Sequence, residues 1–127
     1  MDVNHPGTLA EMEAAFARYE QALVENDLAV LDELFWADAR TVRYGIGEAL
    51  YGIEAIRAFR AARPAAGLVR TLERTVITTF GRDFATASTL FAREGAPGRV
   101  GRQQQSWARM PPGWRIVAAH VSVIPAP

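Results

Sequence analysis

The sequence contains no cysteine and no lysine, and these two absences exclude several kinds of chemistry. Without cysteine the chain has no disulfide bond, no thiolate nucleophile and no cysteine-ligated metal site. All 14 basic residues are arginine, which excludes Schiff-base chemistry and a lysine general base. Only two histidines are present, whereas a histidine-rich zinc site needs about three nitrogen or sulfur ligands. EF-hand and H-E-x-x-H patterns are also missing, so we expect no metal and no cofactor.

Charge of one sign is not in excess either, since 14 acidic residues balance the 14 arginines. A neutral chain gives no electrostatic reason to expect a nucleic-acid partner. No apolar run reaches the length of a membrane span, and the first residues lack the pattern of a secretory signal, so we expect no membrane partner and a cytoplasmic location. Half of the 127 residues are apolar, which is enough for the core of a single domain over residues 1–127.

The first half of the chain is predicted to be mostly helical, because apolar residues recur three or four positions apart. Thr8 and Glu11 match the capping-box pattern at a helix start, and Asp27 is a predicted N-cap. Pro64 is expected to end the last helix. Three helices are predicted: Thr8–Glu25, Leu28–Phe35 and Ile53–Arg63.

The remaining segments are predicted to be strands joined by turns rich in Gly and Pro. A loop or short hairpin through Tyr51 is expected between the first strand and the third helix. Five strands are predicted: Arg40–Gly45, Val69–Phe80, Phe84–Glu94, Arg99–Met110 and Trp114–Ile124. Helices beside an antiparallel sheet predict an α+β fold, and a strongly curved sheet wrapped around the first helix would form a cone with one open end.

This order of elements is similar to the nuclear transport factor 2-like superfamily, which also contains SnoaL-like cyclases and ketosteroid isomerases. Four stretches resemble more closely its AtzH-like family: FARYEQALVENDLAVLDELFW, TVRYGIGEALYGIEAIRAFRAARP, TVITTFGRDFATA and GRQQQSW…GWRIVAAHVS. The resemblance covers nearly the whole chain. It implies a cone-shaped barrel in which three helices pack against a strongly curved, mainly antiparallel sheet.

The resemblance also implies an activity. AtzH-like proteins are associated with amidohydrolases that degrade nitrogen-rich compounds, and members are proposed to be amidases of carboxylated ureas, for example in converting 1,3-dicarboxyurea to allophanate. A member type that this chain closely resembles is linked to oxalurate catabolism. The family's proposed catalytic pair matches Tyr19 on the first helix and Arg43 on the first strand. We therefore expect these two side chains to meet in a hollow that binds a small anionic substrate.

The residues alone leave simpler interpretations of both side chains open. Arg43 suits a fork that holds a carboxylate, but equally a salt bridge to Glu48 or Glu20 or an outward-facing strand position. Tyr19 suits a proton donor, but equally an ordinary core tyrosine beside Phe16.

Further polar residues are candidates for substrate binding. Histidine titrates near neutral pH and serves as acid or base. Strict alternation along the last strand places Ile116, Ala118, His120 and Ser122 on one face, and its other face is rich in valine. Each candidate also suits a structural role, such as a core or interface histidine or an exposed loop acid. The predicted substrate-binding residues are His120, Gln104, Tyr44, Ser122 and Glu48.

Three arginines of the third helix, Arg57, Arg60 and Arg63, recur every three residues. They match a solvated basic face, or a surface that steers an anionic substrate towards the site.

Three functions remain as hypotheses. The first is a small-molecule amidohydrolase, or a helper in the same pathway. The second is a non-catalytic accessory subunit of a partner amidase. The third is a lyase or isomerase of the cone fold, which needs a carboxylate in the pocket, and the predicted faces offer no obvious one. The valine face and the tryptophans are compatible with sheet-to-sheet pairing, so we predict a homodimer.

Overall fold

The computed structural model describes residues 1–127 as three helices and one six-stranded sheet. The helices are α1 (Pro6–Glu25), α2 (Leu28–Leu34) and α3 (Ile53–Ala62). The strands are β1 (Val42–Tyr44), β2 (Ala49–Tyr51), β3 (Thr71–Phe80), β4 (Phe84–Ala92), β5 (Arg99–Met110) and β6 (Gly113–Pro125). The order in the sheet is β2-β1-β6-β5-β4-β3, and β1 pairs with β6 in parallel while all other neighbours are antiparallel. The predicted α+β class and mainly antiparallel sheet are confirmed.

Helix α1 begins two residues earlier than the sequence pattern predicts. Its N-cap is His5, whose Nδ1 accepts a hydrogen bond of 3.3 Å from the backbone N–H of Thr8. Pro6 occupies the first turn. A backbone N–H there has no partner within the helix, so its absence in proline costs no hydrogen bond. The predicted capping box of Thr8 and Glu11 is therefore wrong, because Thr8 is buried inside the helix. Asp27 caps α2 as predicted.

The core lies between α1 and the inner face of the sheet. The sheet contributes the fully buried Trp107. Helix α1 contributes four residues at three- and four-residue spacing: Met12, Phe16, Tyr19 and Leu23. Burial of a large apolar side chain stabilises a fold by roughly 1.5–3 kcal/mol, so this face of α1 anchors the helix across the sheet. None of the three helices combines the length and apolar character that a membrane crossing requires.

Strand β6 contains a β-bulge at Val117 that reverses its side-chain alternation. Ser106 of β5 pairs with Ala118, whereas the next residue, Trp107, pairs with Ile116, so Val117 has no partner. Ile116 therefore lies in the core, although His120 further along the strand is exposed. The prediction that Ile116 and His120 share a face is wrong.

The two sequence features behind the homodimer prediction do not lie on an outer surface. Trp107 and Trp114 are core residues. On β6, Ala119 belongs to the core and Val121 lines an internal cavity, so the valine-rich face points inward. The homodimer itself stays a prediction, and its contact would have to use an exposed face of the sheet.

Candidate functional site

A cavity of about 210 Å³ lies between the inner face of the sheet, α1, α3 and the loops that follow β1 and α3. Tyr19 and Arg43, the predicted catalytic pair, both line it, and so does Glu48. The fold therefore brings together side chains from the first helix, the first strand and the β1–β2 turn, as the sequence analysis expected.

Arg43 points inward from β1 and is held by a carboxylate. Its Nη1 donates a 2.8 Å hydrogen bond to Glu48 Oε1, while the other oxygen, Glu48 Oε2, accepts from the backbone N–H of Gly47 at 3.1 Å. The guanidinium carbon also lies 5.2 Å from the ring centroid of Phe59. These contacts leave Nε and Nη2 without a hydrogen-bond partner in the chain. Nε and Nη2 lie on the same side of the guanidinium, so they are available to donate two parallel hydrogen bonds to a carboxylate.

Tyr19 is fixed by its ring and free at its hydroxyl. The ring stands perpendicular to that of Trp107 and tilted against that of Phe35, with both centroids 6.4 Å away. The residue is 5% exposed and lines the cavity, and its hydroxyl makes no hydrogen bond within the chain. A buried tyrosine hydroxyl normally finds a partner. The Tyr19 hydroxyl is an exception, because it has no such partner in the chain.

The arginines of α3 do not form one solvated face. Arg57 is exposed, but Arg60 is only 4% exposed, donates to Asp32 Oδ1 at 3.3 Å and stacks on the ring of Phe35 at 4.7 Å. Burial lowers the pKa of Arg60 from its ordinary value. Arg63 is half-buried and lines the cavity. The interpretation of the three residues as a shared solvated surface is wrong, because α3 turns two of them towards the protein.

Arg70 joins the cavity wall through a network with α1 and β5. Its Nε and Nη2 donate to the two oxygens of Glu20 at 2.8 and 2.6 Å, in the bidentate geometry of a strong ion pair. Nη2 also donates to Gln103 Oε1 at 2.9 Å. This pairing satisfies Arg70, whose side chain is 2% exposed.

Two further arginines line the cavity without a carboxylate partner. Arg63 Nε and Nη2 and Arg93 Nε are buried and make no hydrogen bond. Burial, followed by the charge of Arg60, lowers the pKa of Arg63; burial, followed by the charge of Arg70, lowers the pKa of Arg93. Both guanidinium groups are therefore in surroundings that disfavour positive charge.

The ring of Phe91 packs against the guanidinium groups of two arginines that line the cavity. The Arg70 and Arg93 guanidinium carbons lie 4.5 and 4.9 Å from its ring centroid. The ring in turn packs on the backbone of Gly101, where a Cβ atom would lie 2.1 Å from Phe91 Cζ. Glycine is required at residue 101 because any side chain would displace the Phe91 ring.

The other four predicted substrate-binding residues lie on the outer face of the sheet. Tyr44, His120 and Gln104 are in register across three neighbouring strands, with the Tyr44 ring edge-on to His120 at 6.2 Å. Gln104 Nε2 donates to Ser88 Oγ at 3.1 Å, and the Ser122 hydroxyl accepts from an arginine of β5. An outer groove of about 480 Å³ includes His120, Gln104 and Ser122, and none of the four lines the inner cavity.

Sequence reasoning did not propose Arg70, Arg93 or Gln103 as site residues. Gln103 gave a signal, because strict alternation places it on the same strand face as Trp107, where a polar residue is out of place. Arg70 and Arg93 lie near the ends of the predicted strands Val69–Phe80 and Phe84–Glu94 and gave no such signal. No group of three His, Asp or Glu side chains is placed to hold a metal ion.

Comparison with known proteins gives a family and a fold. A model of the AtzH-like family matches residues 1–127. A protein of unknown function from Pectobacterium atrosepticum, of the DUF3225 family, is 65% identical with a TM-score of 0.95, and the match covers 97% of this chain and 95% of that one. A cystatin-like fold protein from Burkholderia xenovorans is 53% identical with a TM-score of 0.95, over 100% and 99% of the two chains.

A more distant match supports the fold alone. An NTF2-like protein from Pseudomonas putida is 17% identical with a TM-score of 0.74, over 91% of this chain and 86% of that one. The predicted nuclear transport factor 2-like fold is thereby confirmed. The chain has no match among the curated proteins.

Proposed function

The chain belongs to the AtzH-like family, and from this premise we propose that it is a hydrolase that cleaves an amide bond in a small carboxylated urea or oxalurate-type anion. The observation that carries the proposal is that Tyr19 and Arg43 line one cavity. Its volume of about 210 Å³ is below the roughly 300–1,000 Å³ of sites for drug-sized molecules, which suits a substrate of this size.

Arg43 is the proposed substrate carboxylate receptor. Its Nε and Nη2 are free of protein hydrogen bonds, and Glu48 holds the rest of the guanidinium in place. A planar carboxylate accepts two parallel hydrogen bonds from such a fork. Binding there fixes the substrate and draws electron density away from the neighbouring carbonyl, which favours attack on it.

Tyr19 is the proposed proton donor to the leaving nitrogen. Water adds to the carbonyl carbon, the C–N bond breaks, and its electron pair passes to nitrogen. The Tyr19 hydroxyl gives that nitrogen its proton, and the proton that the attacking water loses restores the phenol. The chain has no cysteine or lysine for a covalent route, so acid–base and electrostatic catalysis carry the reaction.

The cavity is less suited to the lyase or isomerase alternative. Removal of a proton next to a carbonyl calls for a free base, and Glu48 is the acid that lines the cavity. Both of its oxygens already accept hydrogen bonds, from Arg43 and from Gly47. A carboxylate held in this way is not free to turn towards a substrate C–H bond, so the geometry favours hydrolysis.

The test is an assay of the purified protein with carboxylated ureas, following ammonia or carbonate release, and with oxalurate, following urea or oxalate release. We expect turnover by the protein alone, and its loss in Arg43→Gln but not in Arg57→Gln, an exposed arginine of α3. Turnover that appears only after a partner amidase is added would instead support the accessory function.

A further inference from the structure

We propose that Arg60 is a third catalytic residue, which donates to the carbonyl oxygen on which negative charge develops when water attacks the substrate. The inference rests on the proposed function, in which Arg43 holds the carboxylate and Tyr19 protonates the leaving nitrogen. Neither of these two residues is assigned to the carbonyl oxygen itself. The proposed reaction therefore leaves one reacting atom of the substrate without a protein partner.

The position of Arg60 inside the protein is the first support. Arg60 lines the same cavity as Tyr19 and Arg43, and its side chain is only 4% exposed. A buried guanidinium is normally paired with a carboxylate in good geometry, because an uncompensated charge is costly to bury. Arg60 has a single hydrogen bond of 3.3 Å, from Nη1 to Asp32 Oδ1, and the Asp32 side chain is 34% exposed. This pair is too weak to account for the burial of the charge.

Free donors that face the cavity are the second support. Arg60 Nε and Nη2 have no hydrogen-bond partner in the chain, and they are not among the unpaired donors that protein atoms fully enclose. The unpaired Nε and Nη2 of Arg63 are fully enclosed, and so is Nε of Arg93. Because Arg60 lines the cavity, its two free donors are open to a molecule bound there. A guanidinium offers donors and no acceptor, so an oxygen with growing negative charge suits it.

The ring of Phe35 brings Arg60 close to Tyr19. The Arg60 guanidinium carbon lies 4.7 Å from the centroid of the Phe35 ring, and the Tyr19 ring packs on Phe35 with 6.4 Å between the centroids. Burial lowers the pKa of Arg60, and the charge that raises it most is that of an ionised Tyr19, ahead of Asp32. The two side chains are thus neighbours in the cavity wall.

The bonding of an amide relates this neighbour of Tyr19 to the carbonyl oxygen. The leaving nitrogen and the carbonyl oxygen are bonded to the same carbon, so a donor beside Tyr19 is within reach of the oxygen. When the water oxygen bonds to that carbon, an electron pair of the C=O double bond moves to the carbonyl oxygen. The pair returns when the C–N bond breaks. A cation stabilises the intermediate charge strongly in a buried site, which screens charge poorly.

Arg60 is also held in place before any substrate binds. It belongs to the last turn of α3, and its guanidinium contacts Asp32 of α2 and the ring of Phe35. A donor that is already oriented does not have to rearrange as the charge develops, which is the condition for stabilising a transition state. The weak ion pair with Asp32 therefore suits a group that must be positioned and still keep donors free.

Steady-state kinetics of Arg60 variants tests the role. Arg60→Met should lower kcat by about 10²–10³-fold, the loss expected for one donor to the oxyanion, and change KM by less than about threefold, because the neutral carbonyl of bound substrate needs the charge less. Arg60→Lys keeps the charge but not the planar fork, and should recover part of the loss. Arg57→Met, three residues earlier on α3 and exposed, is the matched control and should retain full turnover. A normal kcat in Arg60→Met would overturn the proposal.

Thermal unfolding separates the catalytic role from a structural one. Without ligand, Arg60→Met should unfold at the temperature of the wild type or above it, because it removes a poorly paired buried charge and leaves Asp32 partly exposed to water. A clearly lower unfolding temperature, with a normal kcat for the folded protein, would make Arg60 structural and overturn the inference.

Infrared spectroscopy detects the contact without any need for turnover. The probe is oxalurate with an isotope label at the carbonyl carbon next to its carboxylate, bound to the slow variant Tyr19→Phe. The stretching band of the labelled C=O should lie at lower wavenumber in Tyr19→Phe than in Tyr19→Phe with Arg60→Met, because a hydrogen-bond donor weakens the double bond. Equal wavenumbers in the two variants would contradict the contact.

The two proposals fail differently. Turnover by the wild type with a normal kcat in Arg60→Met would overturn this inference and keep the proposed function. A carbonyl shift that depends on Arg60, without hydrolysis of oxalurate or any carboxylated urea, would refute the proposed function and keep the contact. Oxalurate that neither binds nor reacts, in a protein that hydrolyses no carboxylated urea, would overturn both.

Discussion

Glu48 Oε1 occupies the space in which a side chain at residue 45 would begin. A Cβ atom on Gly45 would lie 1.7 Å from that oxygen and 2.9 Å from Arg43 Nη1. The ion pair that orients Arg43 therefore depends on a turn residue that has no side chain. The backbone at Gly45 is not in the left-handed region, so space rather than conformation requires glycine there.

Gly45→Ala should displace Glu48 and with it Arg43. We expect kcat/KM to fall by roughly a hundredfold, because an error of about 1 Å in a positioning group has that effect. The matched control is Gly47→Ala, since a Cβ at residue 47 meets nothing within 4 Å. Equal activity of the two variants would contradict the role of Glu48 in holding Arg43.

Tyr19→Phe should lower kcat by about 10²–10⁴-fold, because it removes the proposed proton donor. The ring contacts with Trp107 and Phe35 stay, and the hydroxyl has no partner in the chain to lose. The midpoint of thermal unfolding should therefore hardly change. Tyr51→Phe, at the exposed edge of the sheet, is the control and should retain full turnover. Normal kcat in Tyr19→Phe would remove this residue from the mechanism.

Glu20→Gln should destabilise the protein by about 3–5 kcal/mol, because it leaves the buried Arg70 without its carboxylate. Urea unfolding measures the change. Glu33→Gln breaks the Arg18–Glu33 pair, in which both side chains are nearly half exposed, and should change stability by about 0–1 kcal/mol. Similar losses in the two variants would show that the burial of Arg70 is not what matters.

The Asp38 carboxylate should titrate unusually low. Hydrogen bonds from the Arg40 side chain, and then from its backbone N–H, lower the pKa of Asp38 from 3.8 to about 2. The contribution of this group to stability is therefore complete above about pH 3.8 and is lost as the pH falls towards 2. NMR titration should place the midpoint near the lower value, and high salt should move it back because the pair is exposed. A midpoint at the ordinary value in low salt would contradict the pair.

A homodimer, if it forms as predicted, should use the outer face of the sheet. That face exposes Tyr44, Val76 and Phe84, whereas the valine-rich side of β6 is turned inward. Light scattering should give twice the chain mass of 13.9 kDa, and Val76→Glu with Phe84→Glu should reduce it to one chain. A monomeric mass for the wild type would end the prediction.

The elements of the fold could be predicted because their signals are local, whereas the pairing of Tyr19 with Arg43 was implied by the resemblance to the AtzH-like family. Helical spacing, turn residues and the strand around Arg43 each depend on a few neighbouring positions. The placement of His120 could not be predicted in this way. Its face depends on the bulge at Val117, which exists only because β5 and β6 change register at Trp107.

The arginine-rich wall of the cavity could not be predicted from the sequence either. Arg63, Arg93 and Gln103 come from a helix end, a strand end and a strand interior that are distant in sequence. Arg63 and Arg93 each match an ordinary surface residue, and Gln103 alone gave a signal, as a polar residue on the strand face of Trp107. Their meeting in one cavity wall depends on how α3 and the strands pack together, which no short stretch of sequence encodes.

The contact between Phe91 and Gly101 ties the width of the cavity to a backbone position that does not line it. Any larger residue at 101 requires a smaller one at 91, and that exchange removes the aromatic ring against which the guanidinium groups of Arg70 and Arg93 pack. An engineer who wants to admit bulkier molecules must therefore change both positions together and supply a new support for the positive charges. Single substitutions along this wall would change the electrostatics of the cavity before they increased its volume.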